Sequence, residues 1–169
     1  RWFNSAYQQR IDRKINTTCL PMVRSNLTTL ALQYLARREH SRLELETKLS
    51  KYAQTAEILS STLDALEQQG LLSADRVVEH VKQVRRAKYG SLRIHHELKI
   101  KGIAEDLIDN AMIDLEQTEL DTARKIWQKK FGALPEDWKT RGKQARFLAS
   151  RGFSTEIINQ VLANRSEEM

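Results

Sequence analysis

The chain has 169 residues, 40% of them hydrophobic and 30% charged, with a net charge of +6. That is too polar for a thick central sheet, and six glycines with two prolines are too few for a disordered or collagen-like chain. No run of about 18 apolar residues is present to cross a membrane as a helix, and the single cysteine, Cys19, excludes an internal disulfide. Residues 1–10 lack the apolar stretch of a secretory signal, so a reducing cytoplasm is the expected compartment.

Residues 1–26 are expected to be an N-terminal extension, with a leading helix over 4–15 and a linker over 19–22. Beyond it the chain repeats. Leu98, Gly102, Ile103, Leu107, Ile108, Ala111 and Met112 are followed 50 residues later by Leu148, Gly152, Phe153, Ile157, Ile158, Val161 and Leu162. A shift of 49 in the other direction brings Leu49, Ile58, Leu59 and Leu63 onto Leu98, Leu107, Ile108 and Met112, although the glycine is missing there. Three units follow, over 27–75, 76–118 and 119–165, with a short tail at 166–169. The third carries about eight extra residues, 133–141.

Each unit reads as three short helices. Leu59, Leu63 and Leu66 recur at i, i+4 and i+7, as do Val77, Val81 and Val84, which is helical spacing. Ser41 followed by Glu44 fits a capping box. Glu57, Glu105, Asp106 and Glu156 fall in first turns, where the helix dipole favours negative charge. All six glycines lie between periodic segments, as left-handed helix ends would require. Nothing reads as a strand. The expected fold is all-α, a tandem array of three-helix repeats, elongated and curved because short helices must share cores with their neighbours.

Charge alternates with the repeat. Residues 27–51 carry net +2 and 52–75 carry −4; residues 76–101 carry +6 and 102–119 carry −6; residues 120–151 carry +6 and 152–169 carry −2. Solvated faces with local ion pairing would account for this, each exposed pair contributing about 0–1 kcal/mol. The alternative is a basic and an acidic surface repeated for a large charged partner. The basic clusters recur at one place in each unit: Arg37, Arg38 and Arg42; Arg85, Arg86, Lys88 and Arg93; Lys129, Lys130, Lys143, Arg146 and Arg151. Tyr89 and Phe131 occupy matching positions and read as core plugs before base-stacking platforms.

Catalytic candidates are few. His95-His96-Glu97 lacks the i, i+4 spacing that puts two imidazoles on one helix face. Cys19 has no evident histidine partner, and no glycine-rich phosphate loop is present. Neither an enzyme, a metal site nor a cofactor is expected.

Tyr34-Leu35-Ala36-Arg37-Arg38-Glu39-His40-Ser41 with Glu44-Leu45 and Lys48-Leu49 resembles the opening signature of the RecX family. Leu72-Ser73-Ala74-Asp75-Arg76 and Gly90-Ser91-Leu92-Arg93-Ile94-His95-His96-Glu97-Leu98 with Lys101-Gly102-Ile103 resemble its central signature. Lys129-Lys130-Phe131-Gly132 and Lys143 through Phe153 resemble its closing one. Ser91 departs from the family's usual proline, and Val77-Val78 from its Phe-Ala. The resemblance implies a cytoplasmic bacterial modulator, usually an inhibitor, of the RecA recombinase. It would bind along the groove of the RecA–DNA filament and restrain ATP hydrolysis, strand exchange and co-protease activity, with weaker affinity for DNA itself. The basic residues above are then the candidate filament or DNA contacts. Direct DNA binding by competition is the alternative, and a monomer would suffice for either.

Overall fold

The computed structural model describes residues 22–163. The leading helix expected over 4–15 and the tail lie outside them. Eight helices and no strand occur among the described residues: α1 (Met22–Leu35), α2 (Arg42–Leu49), α3 (Ala56–Gln68), α4 (Ala74–Arg85), α5 (Ser91–Ile100), α6 (Glu105–Lys130), α7 (Trp138–Ala149) and α8 (Thr155–Leu162). The first starts five residues ahead of the expected repeat, within the segment read as extension and linker. The chain divides after Val77 into two compact units.

Local chemistry sets the helix starts. The Ser41 hydroxyl accepts from the Glu44 amide at 3.2 Å while the Glu44 carboxylate accepts from the Ser41 amide at 3.1 Å, the capping box read from the sequence. Thr55, Asp137 and Ser154 cap α3, α7 and α8 by accepting from the amides of Ile58, Thr140 and Ile157. Thr140 in turn holds the Asp137 carboxyl below its usual range. Glu57, Glu105, Asp106 and Glu156 do occupy first turns.

In the first unit, α1, α2 and α3 close over a core that includes Ala31, Leu35, Leu45, Leu49, Leu63 and Leu66. In the second, Ala123, Trp127, Leu148, Phe153, Ile158, Val161 and Leu162 form one core. The repeat reappears as burial: Leu98 and Leu148, Ile103 and Phe153, Ile108 and Ile158, and Ala111 and Val161 are all buried. Its turn also reappears, since the Ile103 amide donates to the Leu98 carbonyl as that of Phe153 does to Leu148, each beside a glycine with positive φ. The array of three-helix groups is therefore real. One join is continuous, because α6 runs 26 residues through 118/119 and serves as third helix of one group and first of the next.

Two glycines differ from the expectation of left-handed helix ends. Gly142 lies inside α7. Gly90 has φ −79 and precedes α5, and space, not conformation, demands it. A Cβ there would stand 2.4 Å from the Gly152 carbonyl oxygen, and one on Gly152 would stand 2.4 Å from Arg93 Cβ. The two backbones meet at this point, with the Gly90 amide donating to the Arg151 carbonyl at 2.9 Å and the Leu92 amide to that of Gly152 at 3.2 Å. Beneath the contact lies Glu119, 7% exposed, which accepts from the Ser91 amide at 2.8 Å and the Ser91 hydroxyl at 2.9 Å. A proline at position 91 would have no N–H to offer that carboxylate.

Candidate interaction surface

The structure sorts the twelve basic candidates into two kinds. Five are engaged in holding the fold. Arg38 forks onto Glu44 at 3.0 and 3.3 Å and also donates to the Glu39 carbonyl. Arg42, on α2, reaches α3 and pairs with Asp64 at 2.7 Å and Glu67 at 2.6 Å, contacts that raise its pKa. Arg85 makes a two-pronged pair with Glu97 at 2.9 and 3.2 Å, and the hydrogen bonds to that carboxylate likewise raise its pKa.

Arg93 and Arg151 belong to the glycine junction. Arg93 places its guanidinium 4.4 Å from the centre of the Tyr89 ring and donates to the Ser150 carbonyl at 3.1 Å. Arg151 stacks 4.6 Å from the centre of Phe147 and donates to the Lys88 carbonyl at 3.3 Å. Tyr89, half-buried with Arg93 and Arg85 on its ring, is neither a full core plug nor an open base platform. Phe131 packs edge-on against Phe147, with centroids 5.2 Å apart, on the margin of the second unit's core.

The other seven, Arg37, Arg86, Lys88, Lys129, Lys130, Lys143 and Arg146, are exposed. Their side chains make no hydrogen bond or ion pair with another described residue. Arg86 still acts at longer range: after the hydrogen bond and charge of Lys82, its charge helps to hold the Asp114 carboxyl low. Six of the seven belong to the second unit. Cations without internal partners can meet phosphate or carboxylate on a partner without first breaking a bond.

Three groups escaped the reading of the sequence. Glu119 is the first, hidden in an acidic run that suggested a solvated face. The second is Gln144, which is buried, accepts from the Trp127 indole at 2.7 Å and donates to the Ala133 carbonyl. Third, His95 on α5 meets Glu105 and Asp109 on α6, and their ligand atoms lie within 4.8 Å of one another, close enough to hold a divalent cation. That group joins two helices, so spacing along one helix could not show it.

Consecutive three-helix groups and a backbone junction between repeats define an all-α tandem-repeat protein. Two family models match it, described as the second three-helix domain of RecX, over residues 81–112, and the third, over 117–162. The regulatory protein RecX of Ralstonia pickettii (strain 12J) is 38% identical over 148 residues, covering 88% of this chain and 93% of that protein. That of Leptothrix cholodnii is 43% identical over 132 residues, 78% and 84% of the two chains. The crystal structure of RecX from Lactobacillus salivarius shares the fold, with a TM-score of 0.71 at 20% identity over 83% of this chain and 94% of that one. The chain belongs to the RecX family of regulatory proteins. Among its described residues no helix is long and apolar enough to cross a membrane.

Proposed function

We propose that this protein docks on the RecA–DNA filament in the cytoplasm and restrains its activities, namely ATP hydrolysis, strand exchange and co-protease function. The observation that carries this reading is the likeness to relatives named regulatory protein RecX along nearly the whole length of both chains. The exposed cations without internal partners support it, because a filament offers phosphate and protein carboxylate side by side. Arg37, Arg86, Lys88, Lys129, Lys130, Lys143 and Arg146 are the contacts this reading favours. Arg38, Arg42, Arg85, Arg93 and Arg151 serve mainly to hold the fold.

The second reading is direct DNA binding, and the six free cations of the second unit favour it. Binding measured over a range of salt separates the two. Neutralising phosphates releases counterions, so a DNA binder loses affinity steeply, by a slope of about 0.9 per phosphate contact on duplex. Filament docking predicts tight binding to RecA-coated DNA while naked DNA is bound weakly. Equal affinity for naked and coated DNA, with the same steep slope, would transfer the function to DNA.

A further inference from the structure

Between α5 and α6 lies a cleft of about 330 Å³ lined by Ser91, Leu92, His95, Asp109, Met112, Ile113 and Glu116. Leu92 and Ile113 are each 58% exposed although large and apolar. Asp109 and Glu116 are exposed and make no ion pair or hydrogen bond with another described residue. The flanking acids are spoken for, Asp114 by Lys82 at 2.7 Å and Glu105 by Lys99 and His95 at 3.5 Å each.

The internal repeat supplies a comparison. At the 49-residue offset, Ser60, Asp64 and Glu67 of repeat one correspond to Asp109, Ile113 and Glu116, and Arg42 corresponds to Ser91. In repeat one, Arg42 lies against those three residues, pairing with Asp64 and Glu67 and reaching Ser60 Oγ at 3.4 Å. Repeat two keeps the second carboxylate, gains another at Asp109, and has a serine where the arginine stood. That serine is turned to Glu119. The guanidinium that neutralises this position in repeat one is thus absent from repeat two. Repeat three, 50 residues on, carries Gly142, Ala145, Asn159, Leu162 and Ala163 in place of Leu92, His95, Asp109, Met112 and Ile113. Repeat three thus forms its helices without the large apolar pair of Leu92 and Ile113 and without the Asp109 carboxylate.

We propose that this cleft is a docking site for an arginine carried by a protein partner, the guanidinium lying between Asp109 and Glu116 and a neighbouring apolar side chain covering Leu92 and Ile113. Charge complementarity selects the occupant. Two carboxylates in an apolar setting favour a forked cation with a hydrophobic flank, and they repel the phosphates of nucleic acid. The proposal rests on the filament reading above, and divides labour between free cations, which suit DNA, and this cleft, which suits RecA protein.

The test uses the full chain and measures its binding to RecA filaments on labelled single-stranded DNA and to the same DNA without RecA. Asp109→Asn with Glu116→Gln is expected to weaken filament binding about tenfold while naked-DNA binding stays equal or tightens. Leu92→Arg, which fills the cleft with the chain's own cation, is expected to weaken filament binding although it adds positive charge. Both variants alter exposed side chains, and an unchanged helical signal and melting temperature verify that they fold. Filament affinity within twofold of wild type in both variants would overturn the proposal. Failure of the wild-type protein to bind filaments at all would instead remove the filament reading.

Discussion

Replacing Gly152 by alanine probes the junction that joins the second and third repeats. Two penalties combine there. Gly152 has φ +83, where an L-residue costs about 1–2 kcal/mol. Its new Cβ would also lie 2.4 Å from Arg93 Cβ and 2.6 Å from Arg93 N, with backbone on one side and a Cβ on the other, so nothing flexible can yield. Relieving such overlap costs about 1–3 kcal/mol. Separating the segments also weakens the two backbone hydrogen bonds, at about 0.5–1.5 kcal/mol each. The expected loss is at least about 3 kcal/mol. Two other glycines divide this figure into its parts. Gly90→Ala has no conformational strain and only the overlap, 2.4 Å to the Gly152 oxygen and 2.7 Å to Glu119 Oε1. Gly70→Ala has φ +65 and open space, hence the strain alone, about 1–2 kcal/mol. Urea unfolding followed by far-UV circular dichroism should rank them Gly152 first, Gly90 second and Gly70 last. A cost for Gly152→Ala no larger than that for Gly70→Ala would refute the close approach as the reason for the glycine.

Glu119→Ala strands the Ser91 amide and hydroxyl in a buried site and should cost about 3–5 kcal/mol, with Glu119→Gln costing less because one acceptor remains; equal and negligible costs in urea unfolding would contradict the buried cap. His40 is buried; its Nε2 must accept from Lys48 Nζ at 3.2 Å, so its Nδ1–H donates to the Arg38 carbonyl at 2.9 Å. Burial foremost, with the charges of Arg38 and Lys48, lowers its pKa against the raising effects of that carbonyl and Glu44. The unfolded chain therefore takes up the proton first: the contribution of His40 is intact above about pH 6.5 and declines as pH falls below it, by at most about 1.4 kcal/mol per pH unit. Stability measured at pH 7.5 and 5.5 should fall further in wild type than in His40→Asn, and equal falls would exclude His40 as the source. Arg86→Glu with Lys88→Glu should reduce binding to DNA and filament with melting unchanged, whereas Arg85→Ala should cost about 1 kcal/mol of stability through the lost Glu97 pair; a melting temperature that drops for the first and not the second would reverse that assignment.

What could be read from the sequence was whatever is encoded locally. The repeat, the Ser41–Glu44 box and the acidic first turns each depend on residues a few positions apart, and their spacing survives in the chain as written. The basic clusters were visible as composition, but composition cannot tell Arg42, committed to Asp64 and Glu67 on another helix, from Arg37, whose side chain has no partner among the described residues. Glu119 stands in an acidic run whose composition carries no sign of its partner Ser91, 28 residues away. Gly90 and Gly152 were both seen, yet their meeting across 62 residues has no local signature. The continuity of α6 was missed because the repeat period implied a break at 118/119 that no glycine or proline enforces.

Docking on the filament is tested most directly by DNA-dependent ATP hydrolysis by RecA, titrated with this protein while naked-DNA binding is followed in parallel. Inhibition at concentrations that leave naked DNA free is the predicted result. Inhibition that sets in only as the DNA becomes coated, or none at all, would contradict docking on the filament.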